Sequence, residues 1–115
     1  MIYLLLGVPY SLVNPFDAGR MAAGYAKFRP PVHGHILERA GKHLPFRPRI
    51  ALDIGCGAGV STEALAGVAD SRVGIEPSES MLRWAHSTAP GADFLVATAE
   101  DIPLTAKSVD FISAA

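Results

Sequence analysis

The chain has 115 residues, of which 50% are hydrophobic and 18% are charged, and its formal net charge is -1. This length allows one small domain, and the apolar composition excludes an intrinsically disordered chain. Because Lys and Arg are scattered and give no positive excess, the basic surface expected of a nucleic-acid-binding protein is absent. We therefore expect a globular domain whose partner is a small molecule rather than a nucleic acid.

The cysteine content and the N-terminal segment indicate the cellular compartment in which the protein is expected. Cys56 is the single cysteine, so no intramolecular disulfide can form, and a reducing cytoplasm fits best. The apolar run Ile2–Leu6 is too short to span a membrane, and no basic residue precedes it. We expect residues 1–13 to be a poorly ordered extension rather than a signal peptide, and we predict no membrane segment.

The elements predicted from hydrophobic spacing fall into two parts. Residues 14–44 are predicted to form two helices divided by Pro30-Pro31, and apolar residues recur at helical spacing in the second helix. From Arg49 onwards, short apolar runs alternate with helical patterns. This alternation predicts an α/β fold with a parallel sheet and right-handed crossovers. The predicted strands are 49–54, 72–75, 92–97 and 108–113, and the helices between them are about 59–68 and 78–87.

Three glycines alternate at the turn after the first predicted strand, in the segment Asp53–Gly59. Glycine accepts positive φ and lets a ligand approach the backbone closely. The start of the next helix aims free amide groups at such a ligand. In open α/β sheets, ligands bind beyond the carboxyl ends of the strands, where this loop lies. The pattern therefore predicts a ligand-binding loop.

An acid follows the second predicted strand at the distance that a nucleoside-binding site requires. Glu76 stands 21 positions after Gly55, close to the spacing of about 20 residues for an acid that holds a ribose. Its carboxylate can accept hydrogen bonds from both ribose hydroxyls, and it would repel a 2′-phosphate. Together, the loop and the acid predict a ligand that carries adenosine.

The segment Ala51–Gly59 resembles the first motif of class I S-adenosylmethionine (SAM) dependent methyltransferases, an acid followed by G-x-G-x-G. The resemblance covers residues 14–113, so residues 14–115 are expected to form part of a SAM-binding domain. It implies a Rossmann-like parallel sheet with helices on both faces, truncated here after the fourth of the family's seven strands. It also implies SAM as the cofactor and methyl transfer to a small-molecule acceptor.

The resemblance assigns roles to the residues of the loop and of the next strand. The family's glycine loop lies against the methionine part of SAM, and Asp53 is expected to orient the loop and reach the ligand's ammonium group. Gly74–Ser78 is similar to the second signature, with Glu76 on the ribose hydroxyls and Pro77 beside the adenine. Backbone contacts to the ligand are expected from Gly55, Cys56, Gly57 and Gly59.

Three further segments resemble parts of the family's site. The segment after the third strand is similar to the one that flanks the adenine, so Glu100 or Asp101 is expected to accept from the exocyclic amine, with Ile102 on the ring. The fourth strand ends at Ser113, near the methionine group and the substrate. Tyr25–Pro30 resembles the family's Y-x-x-x-R-P segment. Tyr25 and Arg29 are then expected to close over the cofactor.

Neither a catalytic residue nor a metal site is predicted. Methyl transfer from a sulfonium is an in-line displacement on an activated carbon, so positioning supplies much of the catalysis. His33 and His35 stand two positions apart and point to different faces of a helix, which does not suit a shared metal ion. The fourth strand is expected to leave an exposed sheet edge through which copies of the chain could associate.

Two alternative functions stay open. A nicotinamide (NAD) dependent oxidoreductase also pairs a glycine turn with a distal acid, but its pattern is G-x-G-x-x-G. Here Val60 occupies the position of the third glycine, and Asp53 precedes the loop, so SAM is favoured. The second alternative is a non-catalytic binding module with the SAM fold.

Overall fold

The computed structural model describes residues 3–6 and 32–114, which form a parallel sheet with helices packed on it. The strand order in this sheet is β1-β5-β2-β3-β4, and every neighbouring pair is parallel. The predicted parallel α/β sheet is confirmed. The strands are β1 (Tyr3–Leu6), β2 (Ile50–Ile54), β3 (Ser71–Glu76), β4 (Asp93–Val96) and β5 (Phe111–Ala114). The helices are α1 (Val32–Lys42), α2 (Val60–Ala64), which continues as a 3₁₀ turn (Leu65–Gly67), and α3 (Glu79–Thr88).

Strand β2 lies between β5 and β3, and its register decides which side chains share a face. Ala51 is paired with Phe111, and Asp53 is paired with both Ser113 and Gly74. Partners in register point to the same side of a sheet, so these five residues occupy one face. On that face, Ala51 and Phe111 form a buried cluster with residues of α1 and of the segment after α2: Leu37, Leu65, Val68 and Ala69.

Helix α3 covers the neighbouring part of the same face. Its residues Leu82 and Ala85 pack in a buried cluster with Cys56 and Phe94. Phe94 of β4 is in register with Gly74 and therefore points to the face that carries Asp53. All helices in residues 32–114 thus lie on one side of the sheet. The resemblance implied helices on both faces, and the described segments contribute none to the other face.

Strand β1 was not predicted, and it overturns one expectation. Tyr3–Leu6 pair in parallel with β5, from Tyr3 with Phe111 to Leu6 with Ala114. Because β5 also pairs with β2, the fourth predicted strand has no exposed edge, and self-association through that edge is ruled out. A short apolar run without alternation cannot be identified as a strand by periodicity alone. The predicted boundary between residues 13 and 14 lies outside the described residues.

Strand β5 begins three residues later than predicted, at Phe111 rather than Ser108. Ser108 closes a turn before the strand, since its amide donates to the carbonyl of Thr105 at 3.3 Å. The Asp110 side chain follows this turn and contacts the beginning of β2. Its Oδ2 accepts hydrogen bonds from the backbone amides of Arg49, at 3.0 Å, and Ile50, at 3.3 Å. Asp110 therefore joins the beginnings of β5 and β2 through its carboxylate before the ladder between the two strands starts.

Helix α2 is shorter than the helix predicted over residues 59–68, since the chain tightens into the 3₁₀ turn after Ala64. Carbonyl groups at this end of the helix accept hydrogen bonds from the Arg47 guanidinium, at 3.3 Å for Ala66 and 3.0 Å for Ala69. Within residues 32–114, no helix is long and apolar enough to cross a membrane.

Candidate functional site

The glycine loop leaves the carboxyl end of β2 in a conformation that favours glycine at three positions. Gly55, Gly57 and Gly59 have φ angles of 69°, 53° and 88°, all in the left-handed region that other residues rarely adopt. The loop is tied to β3, because the carbonyl oxygen of Ile75 accepts from the amides of Gly55, at 2.9 Å, and Cys56, at 3.0 Å. The predicted loop is thus held at the edge of the sheet where parallel strands present ligand sites.

Close packing fixes the loop from behind. A Cβ atom on Gly59 would lie 2.9 Å from the Cα atom of Ala85, so α3 touches the loop backbone directly. A Cβ atom on Gly74 would lie 2.7 Å from the Phe94 ring and 2.8 Å from the Cys56 Sγ atom. Neither glycine can gain a side chain unless its neighbours move. The position of the loop therefore depends on β3, β4 and α3 together.

Asp53 is the last residue but one of β2, beneath the loop, and it is 1% exposed. Its Oδ2 accepts from the hydroxyls of Ser61, at 2.6 Å, and Thr62, at 2.7 Å, both in the first turn of α2. Its Oδ1 accepts from the Ser113 hydroxyl of β5, at 2.8 Å. We call Ser61, Thr62 and Ser113 the hydroxyl cage. Through this cage, Asp53 joins β2, α2 and β5, which supports its predicted role in orienting the loop.

Two members of the hydroxyl cage were missed by the sequence analysis. Ser61 and Thr62 follow Asp53 by eight and nine positions and start the helix that the loop leads into. Hydroxyl residues in the first turn after an acid and a glycine loop were a signal that could have been used. Ser113 is predicted to approach the ligand, and in the structure its hydroxyl donates to the carboxylate of Asp53.

Glu76 ends β3, the strand next to the loop, and is 2% exposed. Its Oε2 accepts from the backbone amide of Ser78, at 2.8 Å. The Ser78 hydroxyl in turn caps α3 by accepting from the amide of Met81 at 3.4 Å. A carboxylate at the start of a helix is stabilised by the helix dipole. Glu76 is therefore a fixed acid one strand away from Asp53, at the same end of the sheet.

Cys56 lies inside the loop and is 4% exposed. Burial raises the pKa of its thiol well above the ordinary value, and the charges of Asp53 and Glu76 raise it further. The side chain packs against Leu82 and Ala85 rather than towards the open side of the loop. A thiol that resists ionisation is a poor nucleophile, so Cys56 acts here as a packing residue.

The remaining predicted residues are spread along the same end of the sheet. Pro77 is exposed directly after β3, and Glu100 and Asp101 are exposed after β4, one strand further out. Their turn is closed by a hydrogen bond from the Asp101 amide to the Thr98 carbonyl at 3.2 Å, and Ile102 is half-buried. Tyr25 and Arg29 lie outside the described residues. Across residues 3–6 and 32–114, no three His, Cys, Asp or Glu side chains group as a metal site would require.

Comparison with known proteins identifies the family. A family profile described as a methyltransferase domain matches residues 52–115, which is more than half of the chain. The chain belongs to this methyltransferase family. The match begins at β2 and includes the glycine loop, Glu76 and β5, so the family assignment rests on the residues that build the site.

Individual relatives agree with this assignment. A curated relative from Dictyostelium discoideum is 31% identical over 97 residues, which are 84% of this chain and 36% of the relative. The ubiquinone biosynthesis O-methyltransferase of Rhizobium etli is 33% identical over 98 residues, covering 75% of this chain and 40% of the enzyme. The methyltransferase domain described here therefore spans about two fifths of the length of these curated relatives.

Solved structures show the same fold. A SAM-dependent methyltransferase of Thermotoga maritima superimposes with a TM-score of 0.61 at 30% identity, covering 86% of this chain and 44% of the other. A Methanococcus maripaludis protein gives a TM-score of 0.75 at 19% identity, covering 92% and 53%, and at that identity it shows the fold alone. The Rossmann-like methyltransferase fold is thus confirmed by known structures.

Proposed function

We propose that this methyltransferase domain binds SAM at the glycine loop and contributes to methyl transfer onto a small-molecule acceptor. One observation carries the proposal. A loop with three left-handed glycines lies at the ends of two neighbouring strands, and each strand carries a buried carboxylate there: Glu76 is the last residue of β3 and Asp53 the last but one of β2. Glycine backbone suits close contact with a ligand, and a fixed carboxylate suits a pair of ribose hydroxyls.

The charges around the loop favour SAM over a dinucleotide. SAM carries a sulfonium, an ammonium and a carboxylate group and is positively charged overall, whereas NAD carries a pyrophosphate with two negative charges. In dinucleotide-binding folds, the pyrophosphate lies on the glycine turn at the start of the helix. Here the buried carboxylate of Asp53 lies beneath that turn, and its Oδ2 accepts from two hydroxyls in the first turn of α2. An acid at this position favours a positively charged group over a pyrophosphate.

The other predicted contacts extend this proposal towards the adenosine. With the ribose on Glu76, the adenine would extend towards the end of β4, the next strand in the sheet. Pro77 and Ile102 offer apolar surface there, and Glu100 or Asp101 would accept from the exocyclic amine. These three roles, and closure of the site by Tyr25 and Arg29, are proposals that the family resemblance supports.

The chemistry requires little from the protein beyond positioning. The sulfonium activates the methyl carbon, and the protein must hold that carbon in line with the acceptor atom. The O-methyltransferase of Rhizobium etli acts in ubiquinone biosynthesis, which supports a small-molecule acceptor for this domain as well. We assign no catalytic base, since a base is needed only where the acceptor must lose a proton.

Calorimetric titration of the 115-residue chain with SAM, S-adenosylhomocysteine and NAD tests the proposal. We expect binding of the first two ligands and none of NAD. Glu76→Ala should weaken SAM binding by about 1.5 to 3 kcal/mol, because a charged acceptor of the ribose hydroxyls is lost. Glu79→Ala is the matched control, since Glu79 is an exposed acid in the first turn of α3. The SAM affinity of Glu79→Ala should equal that of the wild type.

Two results would contradict the proposal. Binding of NAD without binding of SAM would support the oxidoreductase alternative. Equal affinities in Glu76→Ala and the wild type would remove the ribose role from Glu76. Methyl transfer to a panel of small hydroxyl, amine and thiol acceptors then separates an enzyme from a binding module, because a module binds SAM and transfers nothing.

A further inference from the structure

The Ser113 hydroxyl is committed to Asp53 rather than available to donate to a ligand. Ser113 is 6% exposed on β5, and its Oγ lies 2.8 Å from the Oδ1 atom of Asp53. A serine hydroxyl has one proton, so a proton donated to Asp53 cannot also be donated to SAM. As a donor, Ser113 therefore acts on the cofactor through the carboxylate that it holds.

The hydroxyl cage holds the two oxygens of Asp53 from different parts of the fold. Ser61 and Thr62 of α2 hold Oδ2, and Ser113 of β5 holds Oδ1. Donors on Oδ2 restrain the carboxylate from the side of α2. A donor on Oδ1, from a separate strand, adds a restraint from the side of β5. Hydrogen bonds to a buried carboxylate also favour its ionised form.

We propose that Ser113 is a positioning residue for the cofactor loop and acts through Asp53. This inference rests on the proposed SAM-binding function. Asp53 is the last residue but one of β2, and the loop begins two positions later at Gly55. The orientation and charge of Asp53 therefore act directly beside the loop, and Ser113 connects this residue to β5, the strand on the far side of β2 from Glu76.

A set of Ser113 variants tests the inference by calorimetric titration of the full chain with SAM and S-adenosylhomocysteine. Ser113→Ala removes the donor and should weaken SAM binding about fivefold to thirtyfold, below the full effect of a charged hydrogen bond because the contact is indirect. Ser113→Thr keeps the hydroxyl and should bind within about threefold of the wild type, by the same reasoning. Ser113→Cys keeps the volume with a weaker donor, so it should fall between the two and supplies the comparison if Ser113→Ala does not fold.

Ser108→Ala is the matched control. The Ser108 hydroxyl is also buried in the segment that leads into β5, and it has no hydrogen-bond partner among the described residues. Its removal should leave SAM affinity unchanged. A second comparison separates positioning from general stability. In an Asp53→Asn background, Ser113→Ala should lower SAM affinity by less than about twofold more, since the effects of two residues in one hydrogen-bond network are not additive.

Each outcome decides a different question. If the wild type binds neither SAM nor S-adenosylhomocysteine, the proposed function fails. If the wild type binds but Ser113→Ala binds equally well, the positioning role alone is overturned. The role is also overturned if Ser113→Ala weakens binding as strongly in the Asp53→Asn background as in the wild type. If Ser113→Ala lowers the melting temperature but leaves the SAM affinity unchanged, Ser113 contributes only to stability, and this result would count against the inference.

Discussion

Replacement of Gly59 by alanine measures how strongly the site depends on the glycine loop. Gly59 has a φ of 88°, and an added Cβ would lie 2.9 Å from the Cα, 3.1 Å from the Cβ and 3.1 Å from the carbonyl oxygen of Ala85. The left-handed conformation costs a residue with a side chain about 1 to 2 kcal/mol. Displacement of the α3 backbone by overpacking costs about 1 to 3 kcal/mol more. We expect Gly59→Ala to lower the free energy of unfolding by about 2 to 5 kcal/mol.

Urea unfolding followed by circular dichroism measures this free energy, with Gly67→Ala as the control. Gly67 lies in the exposed 3₁₀ turn after α2, and a Cβ atom there would meet nothing within 4 Å. Its substitution should change stability by less than about 1 kcal/mol, because a compatible alanine mainly restricts the unfolded chain. A loss below about 1 kcal/mol in Gly59→Ala, or equal losses in both variants, would refute the packing argument. A stable Gly59→Ala protein with normal SAM affinity would further show that the loop tolerates the side chain.

Three further predictions concern two residues around the loop, Cys56 and Ser78. Because burial and the neighbouring acids raise the pKa of Cys56, iodoacetamide should label the native thiol far more slowly than the urea-unfolded thiol at pH 8. The raised pKa also means that the native state holds the thiol proton more tightly. The free energy of unfolding should therefore decline above about pH 8.5, and this part of the decline should be absent in Cys56→Ala. Equal labelling rates in both states would contradict the burial of the thiol. Ser78→Ala removes the 3.4 Å cap of α3 and should cost about 0.5 to 1 kcal/mol in urea unfolding, at the lower end for such caps because the bond is long. An unchanged midpoint would show that the cap contributes nothing.

Much of the fold followed from local sequence patterns. The alternation of short apolar runs with helical spacing located strands β2 to β5 and helices α2 and α3 to within a few residues. The left-handed conformation of the loop could be predicted because glycine is the residue that adopts positive φ angles readily. The position of Glu76 relative to the loop followed equally directly, since two neighbouring parallel strands end at the same edge of the sheet.

Other features depend on contacts between distant parts of the chain. Asp53 and Ser113 are 60 positions apart, and only the pairing of β2 with β5 brings their side chains together. The hydrogen bonds from the amides of Arg49 and Ile50 to the Asp110 carboxylate likewise join residues 61 and 60 positions apart. Strand β1 has no alternating pattern that separates it from other apolar runs. Each of these features needed the register of the sheet, which no local pattern in the sequence encodes.

The burial of two acids beside one loop connects the site to the fold around it. A buried carboxylate without partners costs several kcal/mol, so Asp53 and Glu76 require the hydrogen bonds that the hydroxyl cage and the amide of Ser78 provide. Those donors come from α2, from β5 and from the segment that leads into α3. The stability of the buried acids therefore depends on the placement of these elements around the loop. The hydrogen bonds that make the burial of the acids tolerable also fix the geometry that the proposed SAM site requires.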